Sequence, residues 1–128
     1  MAQMNLPTEN VERRRQPRLK VRDVAFAVLG DGEEMGQVMD INLLGLSFHY
    51  LTDGSEKPTS DSMDIILAED DLHIRDIPFR RVLDLEILNG MTFSSLKKHR
   101  YGVEFGELSA KQRAQLDHFI RHHTAGSA

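Results

Sequence analysis

The stretch Leu44-Gly45-Leu46-Ser47-Phe48-His49-Tyr50 alternates large apolar side chains with small or polar ones. Leu44, Leu46, Phe48 and Tyr50 fall on one face; Gly45, Ser47 and His49 fall on the other. That period of two predicts a half-buried strand over 44–51. The neighbouring segments repeat the theme. Toward the N-terminus a strand is expected over 35–41, and another over 24–29, where Val24, Phe26 and Val28 alternate with Ala25, Ala27 and Leu29 and both faces are apolar. Gly30-Asp31-Gly32-Glu33-Glu34 between these two is a turn by composition. With Gly36 it spells GxGxxxG, which is too long for a dinucleotide fingerprint, is acidic and precedes no helix. A hairpin accounts for it.

On the C-terminal side, 52–62 is rich in turn formers and reads as a loop. Strands are expected over 63–68, over 72–77 ending at Pro78, and over 79–88 with Leu83, Leu85 and Ile87 inward. Asn89-Gly90 breaks the pattern and 93–98 is irregular. The last strand, 100–106, carries Tyr101, Val103 and Phe105 on its apolar face. Ser109 and Gln112 form a capping-box signature. Leu116, Phe119 and Ile120 then make the apolar stripe of a helix, with Lys111, Arg113, Gln115 and His122 toward water. The sum is a mainly β protein, a small antiparallel β-barrel of about six to seven strands with a C-terminal α-helix. No internal repeat marks a boundary, so one domain is expected over 12–123, between a flexible lead at 1–11 and a tail that frays from 124.

Composition narrows the function. The 128 residues carry a net charge of −4 and no cysteine, which excludes disulfides and thiolate metal sites. No signal-peptide core or membrane-length apolar run is present, so a cytoplasmic protein without membrane insertion is expected. Residues 1–20 hold +3 and the remainder −7. The positive charge is concentrated in Glu12-Arg13-Arg14-Arg15-Gln16-Pro17-Arg18. A compact cationic arm on an acidic body suits a small, doubly charged anion better than a nucleic-acid polymer. Arginine forks pair bidentately with phosphate and also read purines. A solvated basic tail is the plainer reading of such a run. Eight aromatic residues and an acidic body give little basis for a nucleic-acid stacking platform.

Asp40-Ile41-Asn42-Leu43-Leu44-Gly45 lies between two expected strands. Asp40 and Asn42, two apart, can aim the same way from a strand end. Gly45 permits a tight turn, a bulge or close approach of a ligand to the backbone. An ordinary turn in which Asp40 and Asn42 satisfy local amides fits the same residues. No catalytic motif is present: there is no GxSxG, P-loop or HExxH, so no enzyme is expected. His118 and His122 have metal-ligand spacing on the helix. With His123 adjacent and no clear carboxylate partner, they read as a wet face, and no metal site is expected. His49, His73 and His99 are scattered.

Taken together, these motifs resemble those of the PilZ domain, the bacterial receptor module for cyclic di-GMP. Arg14 and Arg18 supply its RxxxR, preceded by Arg13; Asp40 to Gly45 supplies its (D/N)xSxxG; Tyr101-Gly102-Val103-Glu104-Phe105, running on to Leu108-Ser109 and a helix, matches its ending. The resemblance covers about residues 12–122, with Asn42 where the family carries serine. It implies a split-barrel fold and cyclic di-GMP as ligand, with no other cofactor. Arg14 and Arg18 would take phosphate and the guanine O6/N7 edge, Asp40 the guanine donor edge, and Asn42 a base or phosphate oxygen. Gly45 would keep the floor open, and Arg13 would permit a stacked ligand pair. It further implies an effector, monomer or homodimer, whose arm orders around the ligand and signals to an unidentified protein partner in motility, exopolysaccharide or pilus control. The alternative is a PilZ-fold interaction module in which Asn42 has weakened or abolished ligand binding.

Overall fold

A computed structural model describes residues 17–30, 34–52, 59–87 and 97–127. Arg13, Arg14, the expected lead at 1–11, the Asn89-Gly90 break and most of the irregular stretch after it lie outside the described residues. Eight strands and a helix are present there: β1 (Leu19–Val21), β2 (Ala25–Leu29), β3 (Glu34–Ile41), β4 (Gly45–Thr52), β5 (Ser62–Leu67), β6 (Leu72–Ile87), β7 (Lys97–Phe105), α1 (Ala110–His123) and β8 (Thr124–Ser127). All strand pairings are antiparallel. The order β2-β5-β6-β7-β4-β3 closes through a β2–β3 pairing into a six-stranded barrel, the expected fold. Closure removes the edges of those strands where they pair. β1 adds to the far half of β3, opposite Asp40 and Ile41, and β8 adds to β1.

The barrel interior is filled by the inward-facing residues of each strand. Ala25, Ala27 and Leu29 of β2 are fully buried, as are Leu46 and Phe48 of β4, Met63 and Ile65 of β5, and Val103 of β7. Phe48, Tyr50 and Tyr101 pack ring against ring, with centroids 5.1–6.1 Å apart. α1 starts where the sequence places it. The Ser109 hydroxyl accepts from the Gln112 amide at 3.0 Å, and the Ser109 amide donates to Gln112 Oε1 at 2.8 Å. The same Gln112 donates through Nε2 to the carbonyls of Arg75 and Asp76, tying the helix start to β6. Leu116 and Phe119 are fully buried, each stabilising the fold by about 1.5–3 kcal/mol through removal from water.

Four expectations change. Pro78 does not end a strand: β6 runs through it. The missing N–H goes unneeded because this is where β6 passes from β5 to β7. Pro78 sits opposite Ser62, its carbonyl accepts from Gly106, and Phe79 donates to the Asp61 carbonyl. A bulge between Arg81 and Leu83 then reverses which face points inward. Asp84 therefore accepts from the buried Tyr50 hydroxyl, while Leu85, expected inside, is 53% exposed. Leu44 leaves the face of Leu46 and Phe48 and is likewise exposed, because it belongs to the turn before β4. The tail expected to fray instead forms β8: Thr124 pairs with Val21, and β1 offers an edge that this short segment satisfies.

Candidate functional site

β3 carries a register shift between Val38 and Asp40 that places Asp40 opposite Ser47 on β4 and Lys20 on β1. Its carboxylate is 4% exposed and meets three donors. The Ser47 hydroxyl donates to Oδ2 at 2.8 Å, Arg100 of β7 donates to the same oxygen at 3.0 Å, and Arg18 donates to Oδ1 at 3.3 Å. A buried carboxylate needs such partners, and two guanidiniums with a hydroxyl supply charge and hydrogen bonds together. Arg18 and Asp40, far apart in sequence and drawn from two separate motifs, are thus an ion pair.

Asn42 is 9% exposed and shapes the turn that follows. Its Oδ1 accepts from the backbone amides of Leu44 and Gly45, at 2.8 and 3.0 Å, and its own amide donates to the Gly45 carbonyl at 2.9 Å. This is an Asx-type turn, work that a serine hydroxyl does more weakly. Any donation from the Asn42 side chain to a ligand oxygen would have to come from Nδ2. The absent side chain of Gly45 makes room for protein: a Cβ there would stand 2.1 Å from the Val103 carbonyl oxygen of β7.

Arg18, Asn42 and Gly45 line one cleft of about 550 Å³, together with Pro17, Leu44, Arg80, Val82, Val103 and Glu104. That volume lies in the range that holds small-molecule ligands. Its walls are mixed. Leu44, Val82 and Val103 offer apolar surface, while Arg18 and Arg80 offer guanidiniums, with Arg80 braced by Glu104 at 2.8 Å. The arrangement can take a flat, anionic molecule, stacking its ring on aliphatic surface and pairing its charge with arginine. Asp40 stands behind Arg18 and holds it at the cleft. Of the sequence-derived candidates, Arg18, Asp40, Asn42 and Gly45 come together here, and Arg13 and Arg14 lie outside the described residues.

Sequence reasoning missed Arg100, Ser47 and Arg80. Arg100 directly precedes the Tyr101-Gly102 pair and Ser47 follows Gly45 by two, so both were adjacent to motifs already noted. Nothing local marks Arg80; it reaches the cleft only because β6 and β7 pair. Nearby, burial, followed by the charges of Lys98 and Arg100, holds the His49 imidazole below its usual range, against an opposing pull from Asp40. The expectation of a helix face without a carboxylate partner also fails. Asp70, in the β5–β6 turn, hydrogen-bonds both His118 and His123.

No protein-family model matches the chain. No curated protein matches it. Among solved structures, the fold is similar to that of MrkH, a c-di-GMP-dependent transcription regulatory factor, with a TM-score of 0.62 at 18% identity. The match covers 85% of this chain and 50% of that one, so the chain spans half the length of MrkH. At that identity the likeness establishes a shared barrel fold.

Proposed function

We propose that this protein is a cyclic di-GMP receptor whose N-terminal arginine arm orders around the ligand and signals to a protein partner. The observation that carries the reading is the Arg18–Asp40 ion pair, in which Asp40 stands behind an Arg18 that lines a cleft with Asn42 and Gly45. The RxxxR and (D/N)xSxxG-like motifs are then two walls of one site. Arg14 and Arg18 take phosphate and the guanine O6/N7 edge, Asp40 takes the guanine N1–H and N2–H₂ as the ligand draws Arg18 away from it, and Arg13 allows a stacked ligand pair. Asn42 builds the turn and presents Nδ2 to a ligand oxygen. The fold similarity to MrkH supports the class of ligand. Ordering of the arm creates the surface that a partner in motility, exopolysaccharide or pilus control would recognise. The receptor acts in the cytoplasm as a monomer or homodimer. Among the described residues, no helix is long and apolar enough to cross a membrane.

The test is calorimetric titration of cyclic di-GMP into the full chain, into Arg14→Ala and into Arg18→Ala, with the fold of each verified by thermal melting. Saturable binding, lost in both variants and weakening as salt rises, is the expected result. The stoichiometry distinguishes one ligand from a stacked pair. Equal binding by both variants refutes the site. Absence of binding by the parent protein favours the interaction-module reading that Asn42 raised.

A further inference from the structure

Far from the cleft in sequence, the end of α1 gathers side chains whose chemistry the receptor reading does not use. Asp70 Oδ2 lies 2.8 Å from His118 Nε2 and 3.1 Å from His123 Nε2. The three donor atoms all lie within 4.8 Å of one another. In a tetrahedral site with metal–ligand distances of about 2.0–2.1 Å, neighbouring donors stand roughly 3.3 Å apart. The two carboxylate–imidazole spacings are close to that edge, and the two imidazole donors lie within 4.8 Å of each other, so an ion could enter once the side chains draw around it.

His123 is also oriented from outside the cluster. His123 is 7% exposed, and its other ring nitrogen, Nδ1, lies 2.7 Å from Asp23 Oδ2. A carboxylate on the far nitrogen of a ligating histidine fixes the tautomer and turns the opposite nitrogen toward the metal. His118 and Asp70 are 47% and 42% exposed, which leaves an approach from solvent and a coordination position for water. The backbone around His123 is held as well. Its carbonyl accepts from the Arg22 amide at 2.9 Å, and the Arg22 guanidinium donates to the His122 carbonyl.

We propose that Asp70, His118 and His123 form a binding site for a divalent transition-metal ion, with Asp23 as the positioning residue behind His123. Two imidazoles and one carboxylate, with no sulfur, suit zinc and its neighbours cobalt, nickel and copper over calcium or magnesium, which prefer oxygen alone. The pair that meets the carboxylate is His118 and His123. His122, which has the familiar four-residue spacing from His118, lies against the His118 ring at a tilt of 43° with centroids 4.5 Å apart, and it is not one of the three residues whose donor atoms converge. A bound ion would tie the β5–β6 turn to the end of α1 and, through Asp23, to the β1–β2 connection. The three ligands share no residue with the cleft lined by Arg18, Asn42 and Gly45.

The experiment uses tag-free full-length protein freed of metal by chelation, with equilibrium dialysis against zinc and visible spectra on titration with cobalt. The expected result is one zinc per chain, a melting temperature that rises with zinc, and the intense cobalt bands of a tetrahedral site. Asp23→Asn should weaken binding about 10–100-fold, the effect typical of an outer carboxylate. His118→Ala, at a position 47% exposed, should weaken it further, and Asp70→Asn should act likewise. His122→Ala should leave affinity unchanged. Binding that survives His118→Ala, that disappears in His122→Ala, or that never saturates overturns the proposal. So does a lowered melting temperature in Asp70→Asn with no metal uptake by the parent, which would make the cluster a charge clamp alone.

Discussion

Replacing Asp40 by alanine tests whether the buried carboxylate organises this end of the barrel. Ser47 is fully buried, and among the described residues its hydroxyl has Asp40 as acceptor. Left without that acceptor, the hydroxyl costs about 1–3 kcal/mol. The arginine contacts contribute less than the burial of Asp40 suggests. The Arg18 and Arg100 side chains keep 34% and 43% of their surface, so the terminal nitrogens that contact Asp40 regain water once released, although Arg100 Nε is buried without a partner among the described residues. Each pair then resembles an exposed one, about 0.2–1 kcal/mol, rather than a sealed pair whose rupture costs about 3–5 kcal/mol. The total expected for Asp40→Ala is about 1.5–5 kcal/mol. Urea denaturation measures it, and Ser47→Ala with the double variant separates the contributions. Removing the hydroxyl from the Asp40→Ala background relieves the orphaned group, so the double variant should be at least as stable as Asp40→Ala alone. The coupling should be about 1–2 kcal/mol, within the range seen for contacting polar pairs. Additivity to within about 0.5 kcal/mol, or a loss in Asp40→Ala below about 1 kcal/mol, would refute the reasoning.

Two further outcomes follow from neighbouring residues. Gly45→Ala drives a Cβ toward the Val103 carbonyl at 2.1 Å, and both groups are fixed in the β4–β7 ladder. The variant should lose about 1–3 kcal/mol, or roughly 3–5 °C of melting temperature per kcal/mol, without any ligand present. An unchanged melting temperature with loss of cyclic di-GMP binding would assign the glycine to the ligand instead. His49 should titrate below the usual histidine value of about 6.5 in an NMR pH series. Because its folded value is depressed, the unfolded chain takes up the proton first as pH falls. The stability that neutral His49 contributes is therefore complete above the unfolded value and is lost on acidification below it. Lys98→Ala should raise the His49 value, and titration of His49 at or above 6.5 in the parent would contradict the assignment.

Much of the fold was legible because strands announce themselves locally. The alternation at Leu46, Phe48 and Tyr50, the capping box at Ser109 and Gln112, and the apolar pair Leu116 and Phe119 each depend on residues a few positions apart. The structure places them as expected. What failed locally failed at irregularities. The bulge between Arg81 and Leu83 shifts the register by one, which turned Leu85 outward and Asp84 inward. No periodic reading anticipates such a reversal, since the same residues fit either face until the pairing with β7 is known. Pro78 was read as a stop because proline lacks a donor, and only the exchange of neighbours along β6 shows that none is needed there.

The candidate sites divide the same way. By itself the sequence determined that an arginine arm and an Asp-x-Asn-x-x-Gly turn exist, and that a strand-rich acidic body carries them. It also placed His118 and His122 at ligand spacing on one helix, a pair that reads from sequence as a wet face. Only the tertiary structure decided that Arg18 reaches Asp40, that Arg100 and Ser47 share the same carboxylate, and that Asp70 and Asp23 converge on His123. The physical reason is that a charge finds its partner through space. Sequence fixes the inventory of donors and acceptors, whereas barrel closure and strand register fix which of them come within hydrogen-bond reach.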